Sequence, residues 1–586
     1  MAETAGDIGR VGFIVLRSTR RPIMVLLWVY SVAILGMTLI PGVEIDGKPQ
    51  YMSIFHAFYF MTYTATTTGF GEIPVEFSNG QRLWAILCLY VSVIAWFYAV
   101  GAIINLLQNH YFQQALAEKR FTRSVARMPG DFFILCGFGD AGSLLARGLS
   151  DAGISAAIIE IESSRIQALQ LRDYRVPMPG LCADASVPKH LLEAGLQKKE
   201  CQAIVAMTND EEVNLRISAL ARLLNPDVRV ITVSKVDVYE ETLETLGRDM
   251  HIVDPFKSFA KDLGYAIHMP TIYTLNQWLV GAAGASLDRT LHPPRGTWII
   301  SGYGRLGHEV HKSLVSLGIS TAVIDTHTLE EHEKQTKYIV GSTTAKTLLQ
   351  AGIKDAVGIL AATDDDGHNL GILLNARALN PNLFTIVRQN KHLNEAAFAA
   401  ANADIIMQPS LVTARRVLYA LVAPLLKPFF SHLMDEHVKG NQSSYDIIDR
   451  LRATIGRQEP ELLTVFVNRE MAGALVSVLG NNEQVLLGDI MRYPDNHEEV
   501  LSTEPLAIKS DDETFIMPGA DHPIQIGDQI LFCGTESAHR LLDGTLNNEY
   551  ILYYVRTGSY KPRGYVMRWA VKQFPGVFKR NEEIIE

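Results

Sequence analysis

Two long uncharged segments near the N-terminus are the strongest hydrophobic signal in the chain. Residues 22–40 contain 19 consecutive uncharged residues, and residues 83–107 contain 25. At a rise of about 1.5 Å per residue, each segment is long enough to cross a hydrocarbon layer of roughly 30 Å. A cleaved signal peptide is the alternative interpretation of the first segment, but no small-residue cleavage site follows Ile40. The pattern therefore predicts a transmembrane domain at residues 1–108 with two spans.

A third apolar segment lies between the two spans. Residues 51–64, YMSIFHAFYFMTYT, are rich in aromatic side chains but number only 14, so they predict a half-helix buried in protein and not a third crossing. This segment runs into the sequence TTTGFGE at residues 66–72. Gly69 and Gly71 permit backbone angles that aim successive carbonyl groups at one axis, which residues with a side chain adopt poorly. Taken alone, the same letters are also compatible with an ordinary glycine-containing loop.

The remainder of the chain contains two similar segments. The first starts at Phe132 and the second at Trp298, and the corresponding glycines Gly137 and Gly302 are 165 residues apart. Each segment has a strand-like run, the pattern G-x-G-x-x-G, a helical pattern and a second β-branched run that ends in an acidic residue, which together form the dinucleotide-binding βαβ unit. Later landmarks repeat in the same order: AIVAMTNDEEVNL, for example, parallels GILAATDDDGHNL. One such glycine pattern is a weak signal, but the repeated series predicts two Rossmann-like α/β domains.

The pattern changes again after the second copy. Residues 408–437 predict a crossover helix interrupted by Pro424 and Pro428, and short β-like runs follow (LLTVFVN, GALVSVLG and IQIGDQILFCG), which predict a small α+β lobe. We therefore expect a multi-domain protein, with an α-helical two-span domain followed by two Rossmann-like α/β domains and this lobe. The predicted boundaries are 1–108 for the transmembrane domain, 109–130 for a linker, 131–290 for the first copy, 296–440 for the second copy with its crossover helix, 443–545 for the C-terminal lobe and 546–586 for a basic tail.

Charge is distributed unevenly along the chain. The formal charge is −10 overall, whereas residues 1–130 carry ten Lys/Arg against seven Asp/Glu and the remainder carries 43 against 56. An acidic globular remainder argues against nucleic acid as a partner, because phosphates require a basic surface. The 48% of hydrophobic residues excludes a mostly disordered chain. The five cysteines are scattered and never spaced as CxxC, which favours free thiols in a reducing compartment.

The basic residues of the first 130 positions predict an orientation. Arginines precede the first span and basic residues follow the second, whereas the connecting segment carries one lysine, Lys48, and four acidic residues. Because positive charge stays on the cytoplasmic side, we expect a multi-pass protein of the cell (inner) membrane with both termini in the cytoplasm. The lipid bilayer is then its first partner.

The order span, short helix, T-x-G-[FY]-G-[DE], span resembles the pore domain of potassium channels. In that family backbone carbonyls replace the hydration shell of K⁺, and four chains surround one axis. The resemblance implies a homotetramer whose selectivity filter consists of Thr67, Thr68, Gly69, Phe70 and Gly71. Three positions depart from the family pattern: Thr68 stands where Val is usual, Phe70 where Tyr is commoner, and Glu72 where Asp is commoner. The bulky run Trp96, Phe97 and Tyr98 is a candidate hydrophobic gate, with lipid or core packing as the alternative.

The repeated segments resemble RCK domains (regulator of K⁺ conductance), which are also known from Trk-type potassium-uptake regulators. The resemblance implies a regulatory nucleotide, NAD or an adenine nucleotide. The residues expected to bind it in the second copy are Gly302, Tyr303, Gly304, Arg305, Leu306, Gly307, Asp325, Thr326, Ser342, Thr363 and Asp364. Those expected in the first copy are Gly137, Gly139, Gly142, Glu160, Asp184 and Thr208.

The first copy is the weaker candidate. Asp140 stands where the second copy has Arg305, and a like charge about 4 Å from a phosphate costs on the order of 1 kcal/mol in water and more near protein. In both copies the glycines can alternatively serve only to tighten a strand–helix turn. Two acidic clusters, at residues 210–212 and 364–366, raise Ca²⁺ as a second ligand, with Asp210, Glu211 and Glu212 as the candidate ligands. Neither cluster has the ligand spacing of an EF-hand.

Taken together, these patterns predict a ligand-gated potassium channel and not an enzyme. K⁺ is the expected permeant ion, and a ring of RCK copies is expected to open or close the pore. One alternative is a regulatory subunit of a separate potassium transporter, which leaves TTTGFG between two spans unexplained. The other is a membrane-tethered NAD-dependent oxidoreductase, although no module with a proton-transfer constellation follows either copy.

Overall fold

The computed structural model describes residues 2–45, 48–71, 76–234, 250–280, 287, 291–328, 337–440, 443–456, 460–511 and 513–560, with backbone alone at 2–18, 45, 443 and 444. The chain forms two compact units. One comprises Met1–Met128 with Glu193–Gly195, and the other comprises Pro129–Leu192 with Leu196–Glu586.

The first unit contains the predicted spans. Its elements are α1 (Ala2–Leu39), β1 (Glu44–Ile45), β2 (Lys48–Pro49), α2 (Ile54–Ala65), α3 (Asn79–Gln108) and α4 (His110–Ala126). Two helical segments, Thr19–Leu39 and Asn79–Gln108, are long and apolar enough to cross a membrane. The chain is therefore that of a membrane protein. The first helix starts well before the predicted span at residues 22–40. Residues 2–21 continue into this span without a break, and Pro22 lies inside the helix. The predicted linker is largely helical, as α4 covers most of it.

Three polar contacts fix the ends of the two long helices relative to each other. The indole N–H of Trp84 donates to the carbonyl of Ala33 (3.1 Å), and the amide of Gln81 donates to the carbonyl of Ile40 (3.0 Å). Ser78, which begins α3 with a capping box, donates its hydroxyl to the carbonyl of Pro41 (2.7 Å). Gly36 is required at this crossing because a Cβ there would lie 2.1 Å from the Trp84 ring. The half-helix α2 is thus held between rigidly paired helices.

Each of the two copies is built on a parallel sheet, with six strands among the described residues. The first copy contains β3 (Phe132–Cys136), α5 (Asp140–Asp151), β4 (Ser155–Glu160), α6 (Ser163–Gln170), β5 (Gly180–Cys182), α7 (Pro188–Glu193), β6 (Cys201–Ala206), α8 (Glu211–Leu224), β7 (Arg229–Val233) and β8 (Met250–Val253). Its strand order is β5-β4-β3-β6-β7-β8. Helices α9 (Pro255–His268) and α10 (Pro270–Leu279) follow. This order is that of a doubly wound sheet, whose ligands bind beyond the carboxyl ends of the strands where the order reverses.

The second copy repeats the arrangement. It contains β9 (Trp298–Ser301), α11 (Arg305–Ser316), β10 (Thr321–Asp325), β11 (Lys337–Val340), α12 (Ala345–Ala351), β12 (Gly358–Ala361), α13 (Asp366–Leu379), β13 (Phe384–Arg388), a 3₁₀ turn (His392–Asn394), α14 (Glu395–Ala401) and β14 (Ile405–Met407). The strand order β11-β10-β9-β12-β13-β14 matches that of the first copy. The predicted fold class, a two-span domain followed by two Rossmann-like α/β domains, is confirmed.

The crossover helix predicted at residues 408–437 is two helices, α15 (Pro409–Val422) and α16 (Leu426–Val438), bent by 102°. Pro424 falls at the bend, because it cannot donate the hydrogen bond that a continuous helix would need. Pro428 instead lies in the first turn of α16, where a missing N–H is tolerated. The apolar side chains of this pair, such as Val417 and Phe429, are buried in cores of the second unit.

The two copies exchange helices. Leu263 and other apolar residues of α9, which follows the first copy, pack against Leu306, Val310 and Leu314 of the second copy. Conversely, Val417 of α15, which follows the second copy, packs in the core of the first copy. An ion pair between Arg416 and Asp262 joins the two exchanged helices. Each copy therefore depends on the other for part of its hydrophobic core.

The C-terminal lobe contains α17 (Ser443–Ile455), β15 (Glu461–Phe466), α18 (Gly473–Gly480), α19 (Leu487–Ile490), β16 (Thr503–Ser510), β17 (Glu513–Ile516), β18 (Gln529–Gly534), α20 (Glu536–Asn547) and α21 (Glu549–Thr557). Its antiparallel sheet has the order β15-β18-β16-β17. The β interpretation of GALVSVLG was wrong, since these residues form α18 with Ala474 and Leu475 buried against the sheet. A short apolar run does not distinguish a strand from a buried helix by periodicity alone. Beyond residue 560 the predicted basic tail lies outside the described residues.

Candidate functional site

The loop after α2 has an alternating backbone conformation. Thr67, Gly69 and Gly71 have positive φ angles of 60°, 59° and 71°, whereas Thr68 and Phe70 between them do not. A positive φ angle is uncommon for any residue other than glycine, and here the series includes a threonine. Thr67 is a β-branched residue in the left-handed region, a conformation that costs of order 1–3 kcal/mol and is concentrated at functional sites. Residues 67–71 therefore combine positive φ angles at every second position with a strained threonine.

Tyr63 anchors this loop to the half-helix. Its carbonyl accepts the N–H groups of Thr68 (3.0 Å) and Gly69 (3.2 Å), and its ring meets the ring of Phe70 edge-on at 6.2 Å between centroids. The Tyr63 side chain is only 6% exposed, and it also packs edge-on against Phe60. Thr68, which replaces the usual Val of the resembled family, makes a 2.9 Å contact between its hydroxyl and that of Thr66. These contacts within the chain therefore fix the shape of the loop. Glu72, which follows the loop, lies outside the described residues.

The three gate candidates lie on different sides of α3. The helix buries Ser92, Ala95 and Ala99 against the rest of the first unit. Phe97 is two residues from both alanines, which places it on the opposite side of a helix with 3.6 residues per turn. It is 64% exposed in the single chain. Trp96 is partly buried and Tyr98 is half exposed, and both are adjacent in sequence to a buried alanine, so they flank the packed side.

The glycine turn of the second copy combines two close contacts with one open position. A Cβ at Gly307 would lie 2.0 Å from the carbonyl oxygen of Gly302, and a Cβ at Gly302 would meet Thr363 at 3.0 Å. At Gly304 a Cβ would have no neighbour within 4 Å. Helix α11 begins at Arg305 without a side-chain cap from Gly304, so its first backbone N–H groups are directed at this open space. The side chain of Leu306 is buried below the turn, where it packs in the core of the second copy.

Asp325 closes the turn from the neighbouring strand. Its carboxylate accepts the backbone N–H of Tyr303 (2.6 Å) and of His327 (2.9 Å). Burial raises the pKa of Asp325, but these hydrogen bonds and the adjacent imidazole outweigh it and lower the pKa below its usual value. The carboxylate therefore stays ionised. The predicted neighbour Thr326 contacts the His327 imidazole, 3.2 Å from its hydroxyl.

The other residues predicted for the second copy lie at the ends of adjacent strands. Ser342 follows β11, and its carbonyl accepts the hydroxyl of Thr347 (2.9 Å). Thr363 follows β12 and donates both its N–H and its hydroxyl to the side-chain oxygen of Asn369. Asp364 instead forms an ion pair with Arg388 (2.6 Å). The arrangement brings the predicted residues to one edge of the sheet, with Asp364 occupied by a cation of the protein.

The turn of the first copy has the same geometry. A Cβ at Gly142 would lie 2.3 Å from the carbonyl oxygen of Gly137, and Gly137 has a φ of 108°. Glu160 is buried and accepts the N–H groups of Phe138 and Glu162, as Asp325 does in the second copy. Asp184 and Thr208 follow the neighbouring strands: Asp184 accepts the N–H of Ser186 (2.8 Å), and Thr208 donates to Asn214. The glycine contacts and the acidic residue of the first turn therefore correspond to those of the second.

Two arginines outside the glycine pattern lie at the turn of the first copy. Arg165 on α6 lies across the turn: its guanidinium is 3.6 Å from Glu160 and 3.2 Å from the place of a Cβ on Gly139. Arg172 also reaches the turn, where it donates to the hydroxyl of Ser143. The first copy therefore has cations beside its glycines despite Asp140. Sequence reasoning missed them because they follow the acidic strand end by 5 and 12 residues and lie outside the G-x-G-x-x-G pattern.

The proposed acidic Ca²⁺ ligands do not converge. Asp210 accepts the N–H groups of Glu212 and Val213 and so caps α8. Glu211 pairs with Arg305 (2.9 Å), and Glu212 pairs with Arg216 (3.2 Å). Within the described ranges, no group of three or more His, Cys, Asp or Glu side chains is arranged to hold a metal. The interpretation of Asp210, Glu211 and Glu212 as one Ca²⁺ site is corrected, because each carboxylate already has a different partner.

The acidic run of the second copy is occupied in the same way. Asp365 caps α13 through the N–H of His368 (2.8 Å). Asp366 is buried and accepts hydrogen bonds from Asn390, Lys391 and Asn394. Burial raises the pKa of Asp366, but these donors outweigh it and hold the pKa below its usual value. Amide N–H groups of the protein thus stabilise the charge of Asp366.

Comparison with known families identifies the domains. Residues 23–109 match the family model described as "Ion channel", and residues 133–254 and 298–409 each match the TrkA-N domain. The chain therefore contains an ion-channel domain followed by two TrkA-N domains. The resemblances drawn from TTTGFG and from the repeated glycine pattern are confirmed at this level.

Two relatives that match parts of this chain have names that refer to potassium transport. Potassium channel protein 1 of Methanocaldococcus jannaschii is 26% identical over 247 residues, which is 41% of this chain and 63% of that protein. The Trk system potassium uptake protein TrkA homolog of Pyrococcus horikoshii is 31% identical over 137 residues, 22% of this chain and 60% of that protein. The chain thus matches less than two thirds of the length of each. Neither name is that of an enzyme, in agreement with the prediction.

Among solved structures, one described as "GsuK channel bound to NAD" covers 92% of this chain and 99% of that chain, at 16% identity and a TM-score of 0.45. Another, described as "Crystal structure of the GsuK bound to ADP", covers 70% of this chain at 20% identity and a TM-score of 0.42.

The two glycines of the second turn should respond differently to the same substitution. Gly307→Ala should lower the thermal unfolding temperature of the purified protein, because its Cβ would collide with the Gly302 carbonyl, a strain of about 1–3 kcal/mol. Gly304→Ala should leave that temperature unchanged, because its Cβ meets open space and its backbone is extended. Differential scanning calorimetry in detergent measures both. Equal losses of stability in the two variants would contradict the assignment of Gly304 as the open position.

Proposed function

We propose that the chain is the subunit of a potassium channel whose opening is controlled by a nucleotide bound to its TrkA-N domains. The observation that carries the proposal is the loop at residues 67–71, in which every second residue has a positive φ angle. This loop lies directly after a half-helix and between two helices long enough to span a membrane. The ion-channel match at residues 23–109 supports the same interpretation.

In this proposal the carbonyl oxygens of residues 67–71 take the place of the water around K⁺. One chain supplies one row of oxygens, so a full set of ligands requires several chains around an axis, and we propose four. The hydroxyl of Thr67 adds an oxygen at the inner end. Because the hydrogen bonds to Tyr63 are made inside one chain, the loop keeps its shape when no ion is present.

The basic flanks of the two spans orient the chain. Arg20 and Arg21 precede the apolar part of α1, and Lys119, Arg120 and Arg123 lie on α4 after the second span. We propose that both ends lie in the cytoplasm, since positive flanks stay on that side. The TrkA-N domains then meet cytoplasmic nucleotides, and α4 joins them to the pore helix.

The nucleotide would bind with its phosphates on the open space beside Gly304 and Arg305. Free backbone N–H groups at a helix start favour negative charge, and the guanidinium adds a cation. The ionised carboxylate of Asp325 lies one strand away, where ribose hydroxyls bind in dinucleotide folds. In the first copy Glu160 and Arg165 offer the equivalent groups, so we propose a second site there. A ligand that binds one arrangement of the copies better than another shifts the population toward that arrangement.

Phe97 is the gate residue that we propose among the three candidates. It lies at the centre of the side of α3 that the single chain leaves uncovered, so in an assembly around an axis it is free to face the pore. A ring of such side chains excludes water and blocks ions without a charged barrier.

The two alternatives have less support. A purely regulatory subunit does not need an alternating loop between two spans. An oxidoreductase needs proton-transfer groups beside the nucleotide, whereas the acidic side chains that close the two turns, Asp325 and Glu160, accept backbone N–H groups.

Potassium conduction tests the proposal directly. The purified protein in planar bilayers should pass K⁺ in preference to Na⁺, and Gly69→Ala should abolish the current because alanine adopts a positive φ poorly. Gly544→Ala, at a helical glycine of α20 with open space around it, is the matched control and should conduct normally. A channel without preference for K⁺, or one that survives Gly69→Ala unchanged, would rule out the carbonyl filter.

The nucleotide site is tested by filling the open position. Gly304→Val should weaken binding of ADP or NAD to the second copy about tenfold or more, because the side chain occupies the place of the phosphates. Each tenfold change corresponds to about 1.4 kcal/mol. Isothermal titration of the full-length protein measures the affinity, and Gly544→Val serves as the control. Unchanged affinity in Gly304→Val would remove this turn from the proposal.

The gate is tested by truncating neighbouring aromatic residues. Phe97→Ala should raise the open fraction of single channels without added nucleotide, because the constriction loses its apolar ring. Tyr98→Ala changes a side chain on the flank of the same helix and should leave the open fraction near that of the unmodified channel. A larger open fraction in Tyr98→Ala than in Phe97→Ala would assign the constriction to Tyr98.

A further inference from the structure

The cation at the second turn is held by the first copy. The Nη1 atom of Arg305 lies 2.9 Å from the Oε1 atom of Glu211. Arg305 is the first residue of α11 in the second copy, and Glu211 is the first residue of α8 in the first copy. Glu211 has 15% of its side chain exposed and Arg305 has 53%, so the carboxylate is the more enclosed partner. The side chain proposed to bind phosphate is thus engaged with an acidic side chain from the other copy.

The neighbouring acid behaves differently. Glu212 pairs with Arg216 one turn along its own helix, and both side chains are largely exposed. The two glutamates are adjacent in sequence and carry the same charge, yet of the two only Glu211 is paired with the second copy in the described structure. This difference makes Glu212 a matched reference for any effect of Glu211.

A phosphate and the Glu211 carboxylate have opposing demands on one guanidinium. Arginine binds phosphate most strongly through two parallel N–H groups. In Arg305 one of the two terminal nitrogens already donates to Glu211. A phosphate on the remaining N–H groups would also lie close to the carboxylate, where like charges repel. Binding therefore requires Arg305 to exchange partners or to tolerate the repulsion.

We propose that Glu211 competes with the nucleotide for Arg305 within the same chain. This competition lowers the nucleotide affinity of the second copy and couples that affinity to the state of the first copy. This inference rests on the proposed nucleotide site. Glu211 comes three residues after Thr208, whose backbone lies against Gly137 of the first turn. A ligand that shifts this strand end changes the position of the competitor. Because coupling between two binding sites is reciprocal, nucleotide at the second copy alters the affinity of the first by the same factor.

The experiment compares Glu211→Gln with Glu212→Gln in the full-length protein, using ADP as the probe in isothermal titration. Glutamine keeps the size of the side chain and removes its charge. Glu211→Gln should bind ADP about twofold to fivefold more tightly, the factor expected from an ion pair with one exposed partner. Glu212→Gln should bind as the unmodified protein does. In an Arg305→Gln background the gain from Glu211→Gln should disappear, which a general change in charge or stability would not produce.

The outcomes separate this inference from the proposed function. ADP binding to the unmodified protein without a gain in Glu211→Gln, or with a loss, would overturn the competition and leave the nucleotide site standing. A loss would show that Glu211 positions Arg305 for the ligand. An equal gain in both glutamine variants would reduce the effect to net charge. Absence of binding of both ADP and NAD to every form would overturn the nucleotide site and the competition together.

Discussion

A carbonyl oxygen replaces water around a cation only if its position is fixed before the ion arrives. Here the backbone of residues 67–71 is fixed by the half-helix that precedes it, through the Tyr63 carbonyl and ring. The half-helix is in turn held by two long helices that are joined through Trp84 and Gly36. The left-handed conformation of Thr67 is strained, and this packing is what sustains it.

The sequence predicted those parts of the structure that depend on local pattern. The length of the uncharged segments predicted the spans, and the spacing of the glycines predicted both strand–helix turns. A Cβ at Gly307 would collide with the Gly302 carbonyl oxygen, so no other residue fits there. It did not predict the exchange of α9 and α15, since which copy a helix packs against depends on surfaces that lie tens to hundreds of residues away in the chain. GALVSVLG was assigned to a strand because its apolar residues are contiguous and show no period. The ion pair between Arg305 and Glu211 joins residues 94 positions apart and leaves no trace in either motif.

The two copies solve the same electrostatic problem in opposite ways. In the second copy the cation at the turn is Arg305 at the start of the helix, and the residue five positions after the acidic strand end is Glu330. In the first copy the start of the helix carries Asp140, and Arg165 occupies that later position. A cation beside the glycines is thus retained in both, but it comes from a different element and approaches from a different side. Equal folds can therefore prefer ligands of different shape, which a comparison of glycine patterns alone does not reveal.

The exchanged helices also constrain how such a chain can arise and change. A single copy made alone would leave uncovered the apolar side of α5 that α15 now covers, and such a surface favours pairing with a second molecule. Joining two copies in one polypeptide removes the dependence on protein concentration and fixes their ratio at one to one. The two contacting surfaces can also differ in sequence, because each copy is encoded separately. Two copies in one polypeptide thus form a pair of unlike halves, which can acquire separate tasks without losing their shared core.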